Sequence, residues 1–132
     1  MRFVVDTLAS DMPEEIIKGC ALALQEERDV SLILCGREQQ ISNILSQYNI
    51  DHDRLEIIDA ADVFTNEESP ASAIKTKTES SLVKAYEALK RDDVDGMISS
   101  GSTGAVLTGA VLKMGRIRGV HRPALAPLLP TV

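Results

Sequence analysis

Tryptophan is absent from the 132 residues, and aromatic side chains make up only 3% of them. A core drawn from this composition has to be aliphatic and alanine-rich. Cysteine is scarce too. Cys20 falls in a helical pattern and Cys35 at a strand end, and their spacing suggests neither zinc nor a redox pair, so both read as reduced, buried thiols. There is no long hydrophobic run: Ala105 to Leu112 is broken by Thr108 and Gly109 and is far too short to span a bilayer. The opening, Met1-Arg2-Phe3-Val4-Val5-Asp6, meets a charge almost at once, unlike a secretory leader.

A basic surplus is also missing. The net charge of -6 argues against general nucleic-acid binding, because no broad cationic face is available to neutralise phosphates. Cations are instead local, with Lys113, Arg116, Arg118 and Arg122 clustered near the end. The acidic stretch with Asp62, Glu67 and Glu68 reads as a solvated loop, since a metal site needs converging ligands. Nothing in the sequence calls for a metal or a cofactor, and no internal repeat is present.

Hydrophobic residues at 44% and charged residues at 26% describe a globular chain, long enough for one domain with its own core. Arg2 to Asp6 is a compact β-branched run with a carboxylate at its end, which suits a central parallel strand; Asp6 reads either as functional or as a turn residue. Asp11-Met12-Pro13-Glu14 predicts a helix start, with Asp11 as N-cap and Glu14 completing a capping box. Ile16, Ile17, Cys20, Ala21 and Leu24 then recur at helical spacing. A strand at Val30 to Cys35, a helix marked by Ile41, Ile44, Leu45 and Tyr48, and a strand at Leu55 to Ile58 follow. Helical character resumes at Pro70, beginning near Ser72 or near Ser80, and a fourth strand covers Asp95 to Ser99. Alternating strands and helices predict an α/β fold with a mainly parallel sheet.

The richest stretch runs from Asp95 to Arg122. A short strand ends in Ser99, Ser100, Gly101, Ser102, Thr103 and Gly104, and a helix of small apolar residues follows to Met114. The first N–H groups of a helix have no partner inside it, and the macrodipole puts roughly half a positive charge there, so an anion is a natural guest. Gly101 is expected to take positive φ, and Ser102 or Thr103 to cap the helix or turn a hydroxyl toward the anion. The spacing matches neither the P-loop nor the dinucleotide fingerprint, which excludes ATP and NAD as readings. Lys75 and Lys77, followed by Ser80 and Ser81, either hold an anion or form a solvated pair, depending on where the helix begins. The helix after the turn is apolar nearly all round and is expected to be buried against sheet or partner. The final run from Pro123 to Pro130 is apolar and punctuated by prolines, and reads as a packed segment of a chain that continues.

Ile98-Ser99-Ser100-Gly101-Ser102-Thr103-Gly104-Ala105, then Gly115-Arg116-Ile117-Arg118-Gly119-Val120-His121-Arg122-Pro123-Ala124-Leu125-Ala126 and Leu129-Pro130-Thr131, closely resembles the phosphate acyltransferases of bacterial phospholipid synthesis, the PlsX family. Val4-Val5-Asp6, Asp11, Pro13 and Lys75-x-Lys77-x-x-Ser80-Ser81 support the match. The resemblance implies a three-layer α/β/α fold like that of phosphate acetyltransferases and isopropylmalate dehydrogenases, of which this chain is the truncated amino-terminal part. It also implies transfer of a fatty acyl group from acyl carrier protein to inorganic phosphate by a homodimer, cytoplasmic or peripheral on the membrane. The sequence departs from the family at Ala9-Ser10, where a glycine pair is usual, at Met12 in place of histidine, at Ser102 in place of asparagine, and at Thr76 and Thr78 in place of basic residues.

On this reading phosphate or acyl phosphate meets Ser100, Gly101, Ser102, Thr103 and Gly104, with Lys75, Lys77, Ser80, Ser81 and Asp6 nearby. Arg116, Arg118 and Arg122 are offered to acidic acyl carrier protein or to anionic lipid, or form a solvated basic turn. Two alternatives stay open: a short-chain acyl-CoA phosphate acyltransferase, and a folded fragment that binds phosphate or a partner without turnover.

Overall fold

A computed structural model describes residues 1–64 and 69–126. Glu67 and Glu68 of the acidic loop, and the stretch from residue 127 onward with its Leu129-Pro130-Thr131 motif, lie outside the described residues. Four strands, β1 (Arg2–Asp6), β2 (Ser31–Gly36), β3 (Leu55–Asp59) and β4 (Gly96–Ser99), form one sheet in the order β3-β2-β1-β4, every pair parallel. Five helices accompany it: α1 (Pro13–Glu26), α2 (Glu38–Leu45), α3 (Pro70–Thr76), α4 (Ser81–Leu89) and α5 (Thr103–Gly109). The fold is the three-layer α/β/α arrangement expected.

Alternation along β1 sorts the two faces. Val5, with Leu32 and Leu34 of β2, packs under Ile17, Cys20, Ala21 and Leu24 of α1 and Ile41 and Leu45 of α2. Val4, Ile33 and Cys35 point the other way, onto Ala85 and Ala88 of α4. Because successive strand residues face opposite sides, the uninterrupted apolar runs of β1 and β2 are what a sheet covered on both faces requires. Aliphatic and alanine packing dominates both layers.

Several local expectations shift. α1 begins at Pro13 with Met12, not Asp11, at the N-cap, and no side chain caps it; the Met12 amide donates to Ser10 Oγ at 3.1 Å, so the predicted capping box does not form. The two candidate starts after Pro70 are both used. α3 and α4 are separate helices, and Ser80 caps the second by accepting from the Val83 amide at 3.4 Å. The helix foreseen from Ser102 to Met114 divides into α5 and one π-type turn, Ala110–Met114, closed by Gly115 N donating to Ala110 O at 3.0 Å. Tyr86 of α4 donates its hydroxyl to Val106 O at 2.5 Å where α5 gives way to that turn. Its ring lies so close to Gly109 that a Cβ there would stand 2.3 Å from Tyr86 Cε2.

Full burial of that helix is not observed. Only Ala105 and Gly109 of α5 are buried, and Leu112 and Met114 are exposed. α5 packs on the α4 side of the sheet, against α3 and α4, while on the other face Ile98 of the edge strand β4 is 52% exposed because nothing among the described residues covers it. Among the described residues no helix is long and apolar enough to cross a membrane.

At the amino ends of the strands, Arg2 pairs with Glu56 and Asp93, and Arg91 with Glu56 at 2.6 Å. Arg54 closes the carboxyl end of α1. Its guanidinium donates to Leu24 O at 2.5 Å, Glu27 O at 2.9 Å and Val30 O at 3.0 Å. The last turn of α1 has no basic residue of its own, so a cation from the short 3₁₀ turn His52–Arg54 satisfies carbonyls that the helix leaves unpaired.

Candidate active site

Crossovers leave β1 toward β2 on one side and reach β4 on the other, so the strand order reverses between β1 and β4. Ligands of open α/β sheets collect outside the carboxyl ends of strands at such a point. A cleft of about 470 Å3 opens there. One wall is Ala9, Ser10, Asp11 and Met12, which lead from β1 into α1; the other is Ser100, Gly101 and Ser102, which lead from β4 into α5.

The two walls come close at Gly101 and Ala9. A Cβ on Gly101 would lie 2.6 Å from Ala9 Cβ and 3.2 Å from Ala9 O. Gly101 does not take positive φ as expected: among the described residues only Gly115 and Gly119 do. What the position demands of glycine is the missing side chain. Ser102 stands at the N-cap of α5 and Thr103 at its first position, and neither side chain caps the helix. α1 also opens on the cleft without a side-chain cap. The first amides of α5 are therefore left without a side-chain cap, whereas at α1 the Met12 amide donates to Ser10 Oγ and Pro13 has no N–H to offer.

Beneath the cleft lies Asp6, whose residue exposure is 0%. Its Oδ1 accepts from Ser81 Oγ at 2.6 Å and its Oδ2 from Ser99 Oγ at 3.0 Å. Burial is the largest influence on the carboxyl and raises its pKa; the Ser81 and Ser99 hydroxyls, and more weakly the Leu8 and Ala9 amides, act in the opposite direction. Ser99 also accepts the Gly101 amide at 3.3 Å. The buried carboxylate is thus linked to the backbone of the turn above it.

The remaining residues singled out in the sequence fall at three distances from this centre. Ser81 is buried against Asp6, and Ser80 is fully buried, donating to Lys77 O at 2.8 Å while capping α4. Lys75 is exposed on α3, which packs against α5, and Lys77 at the end of α3 donates to Val63 O at 3.0 Å. Ser100, Ser102, Thr103 and Gly104 are exposed on the turn. Arg116, Arg118 and Arg122 lie on a separate loop, where Arg116 donates to His121 O at 2.9 Å and Val120 N to Ile117 O at 3.0 Å. That loop encloses a hollow of about 420 Å3 lined by Arg116, Ile117, Gly119, Val120 and His121, none of which lines the cleft. Lys113, from the same basic cluster, pairs with Glu87 of α4 at 3.4 Å.

Sequence reasoning missed Ser99 as a connector and Ala9 as the partner of Gly101. The Asp6↔Ser99 pairing is a register of parallel strands some ninety residues apart in the chain, and no local pattern announces it.

The whole sequence, residues 1–132, matches the family of fatty acid synthesis proteins. The chain belongs to that family. Relatives in the fatty acid synthesis protein family include proteins named phosphate acyltransferase from Clostridium novyi (strain NT), 44% identical over 131 residues, and from Thermoanaerobacter pseudethanolicus, 41% identical over 133 residues. A third, from Clostridium tetani, is 42% identical over 131 residues. The alignments cover 98%, 100% and 98% of this chain but 40%, 39% and 39% of the respective relatives. The chain thus spans about two fifths of the length of the curated relatives it matches.

Proposed function

We propose that this chain supplies the phosphate-binding part of a phosphate acyltransferase, which moves a fatty acyl group from acyl carrier protein to inorganic phosphate and yields acyl phosphate for phospholipid synthesis. The observation that carries this reading is the cleft at the strand-order reversal, where two helix starts without side-chain caps meet a turn of hydroxyl residues and glycine. Family membership supports the same chemistry.

In this mechanism a phosphate oxygen attacks the thioester carbonyl carbon. The new C–O bond forms through a tetrahedral oxyanion, the C–S bond breaks, and the thiol of the carrier leaves with a proton. Such a reaction needs an oriented phosphate and donors aimed at the developing charge. On this reading Ser100, Ser102, Thr103 and the amides of the turn take the first task, while Lys75 on α3 and Lys77 just past its end, neither of which lines the cleft, add positive charge. The Arg116, Arg118 and Arg122 loop is offered to the acidic carrier protein or to anionic lipid, since clustered cations on a chain of net charge -6 steer an acidic partner. The enzyme acts as a cytoplasmic homodimer with peripheral contact to the membrane.

A polypeptide of the relatives' full length carrying this sequence is expected to form acyl phosphate from palmitoyl acyl carrier protein and phosphate. Replacing Ser102 and Thr103 by Ala should raise the phosphate concentration required for half-maximal rate; an unchanged requirement removes the turn from the site. Preference for a short acyl-CoA over the carrier-bound chain would favour the short-chain enzyme instead. A second reading, binding of phosphate or a partner without turnover by the 132 residues alone, is favoured by the apolar residues left uncovered at Ile98, Leu112, Met114 and Ile117.

A further inference from the structure

We propose that Asp6 is a positioning residue: its buried carboxylate, acting through the Ser99 hydroxyl, holds the Gly101 amide and so sets where the 100–102 wall of the cleft stands against Ala9 on the other. Its bearing on phosphate rests on the functional reading above. A side chain at 0% exposure, with both carboxylate oxygens already accepting from serines, is walled off from a ligand in the cleft. What it does reach, through Ser99, is the backbone of the turn at Gly101.

The geometry is directional. A serine hydroxyl has one hydrogen to give. Ser99 gives it to Asp6 Oδ2, and the lone pairs that this orientation leaves accept the Gly101 amide. Ser81, at 2.6 Å from the other oxygen, anchors the carboxylate to the start of α4, so it is fixed before it fixes anything else. Ala9 is the residue that Gly101 touches. One carboxylate therefore governs, through Ser99, the position of Gly101 where it meets Ala9.

This arrangement needs an acceptor at Asp6 and is weakened when the carboxyl takes a proton. Its titratable neighbours do not compete over the same range. Cys35 on β2, the register partner of Asp6, and Tyr86 on α4 are each pushed up to about 12, chiefly by burial, and stay neutral. Lys84 on α4 is paired with Glu79 at 2.7 Å. β4 and α5 contribute no titratable side chain.

The test follows backbone amides of the isotope-labelled chain by NMR from about pH 7.5 down to about pH 4, without phosphate. Leu8, Ala9 and Gly101 are expected to shift together with one midpoint above the ordinary carboxylate value of 3.8, and the shared step should vanish in Asp6→Asn. In Ser99→Ala the Gly101 step should disappear while Leu8 and Ala9 keep theirs, and Ser99→Thr should restore it. A Gly101 amide that ignores the step in the parent chain, or retains it in Ser99→Ala, overturns the proposal. A titration with inorganic phosphate at about pH 7.5 then reads the site. Ser99→Ala is expected to weaken the response of the Ser100 to Gly104 amides by about fivefold or more, and Ser99→Thr to recover most of it. A shared pH step with no phosphate response supports the positioning role and refutes the phosphate reading.

Discussion

Gly101→Ala probes the cleft where its walls meet. The added Cβ would stand 2.6 Å from Ala9 Cβ, whereas unbonded carbons settle at about 3.5–4.0 Å, so one wall must retreat by roughly 1 Å. Both atoms sit directly on backbone, and no flexible side chain can absorb the move. Overpacking of this kind costs about 1–3 kcal/mol, and a displacement near 1 Å in a positioning element weakens a function by up to about a hundredfold. Ala9→Gly alone should cost only about 0.4–1 kcal/mol through the unfolded chain. In the double variant the Cβ–Cβ collision is gone and only the 3.2 Å approach to Ala9 O remains. We therefore expect a favourable coupling of about 1–2 kcal/mol between the two substitutions, measured by urea unfolding of the parent, both singles and the double. Phosphate binding should fall in Gly101→Ala and recover in part in the double. Strict additivity of the two substitutions would refute the contact and the account of why glycine stands at 101.

Arg54→Ala should destabilise the chain by about 2–3 kcal/mol, because it strips charge-assisted hydrogen bonds from the end of α1; Arg54→Lys should recover less than half, since an ammonium cannot fork across several carbonyls. Thermal unfolding reads both, and a change below about 0.5 kcal/mol in Arg54→Ala would show the cap to be ornamental. Asp6 contributes in the opposite sense. Its pKa is raised in the folded state, so folding favours the protonated form, and that contribution is present below 3.8 and lost as pH rises through the folded value. Asp6→Asn should remove this pH dependence and leave stability at neutral pH equal to or above the parent's, as followed by urea unfolding across the range; a marked loss at neutral pH would mean that the hydrogen bonds outweigh desolvation.

Much of the fold was legible because its signals are local. Four compact apolar runs located the strands to within a residue or two, as at β1, β2 and β3, and the intervening three- and four-residue spacings marked the helices. Capping was less legible. Asp11 has the chemistry of an N-cap, yet Met12 occupies that position, because the loop is held by Ser10 and pressed against Gly101. The helix after the turn, expected to be buried against sheet or partner, is covered only in part among the described residues, where α3 and α4 bury Ala105 and Gly109.

The sequence by itself determined an α/β chain with a hydroxyl- and glycine-rich turn at a strand end, a local basic cluster and membership of a family, because all of these are written in neighbouring residues. Only the tertiary structure decided that Ser81 and Ser99 meet at the buried carboxylate of Asp6 and that Ala9 faces Gly101. It also placed the arginine loop on a hollow apart from the cleft. Those relations depend on strand order and register across the whole chain, and pairings between distant strands leave no periodic trace in the sequence that encodes them.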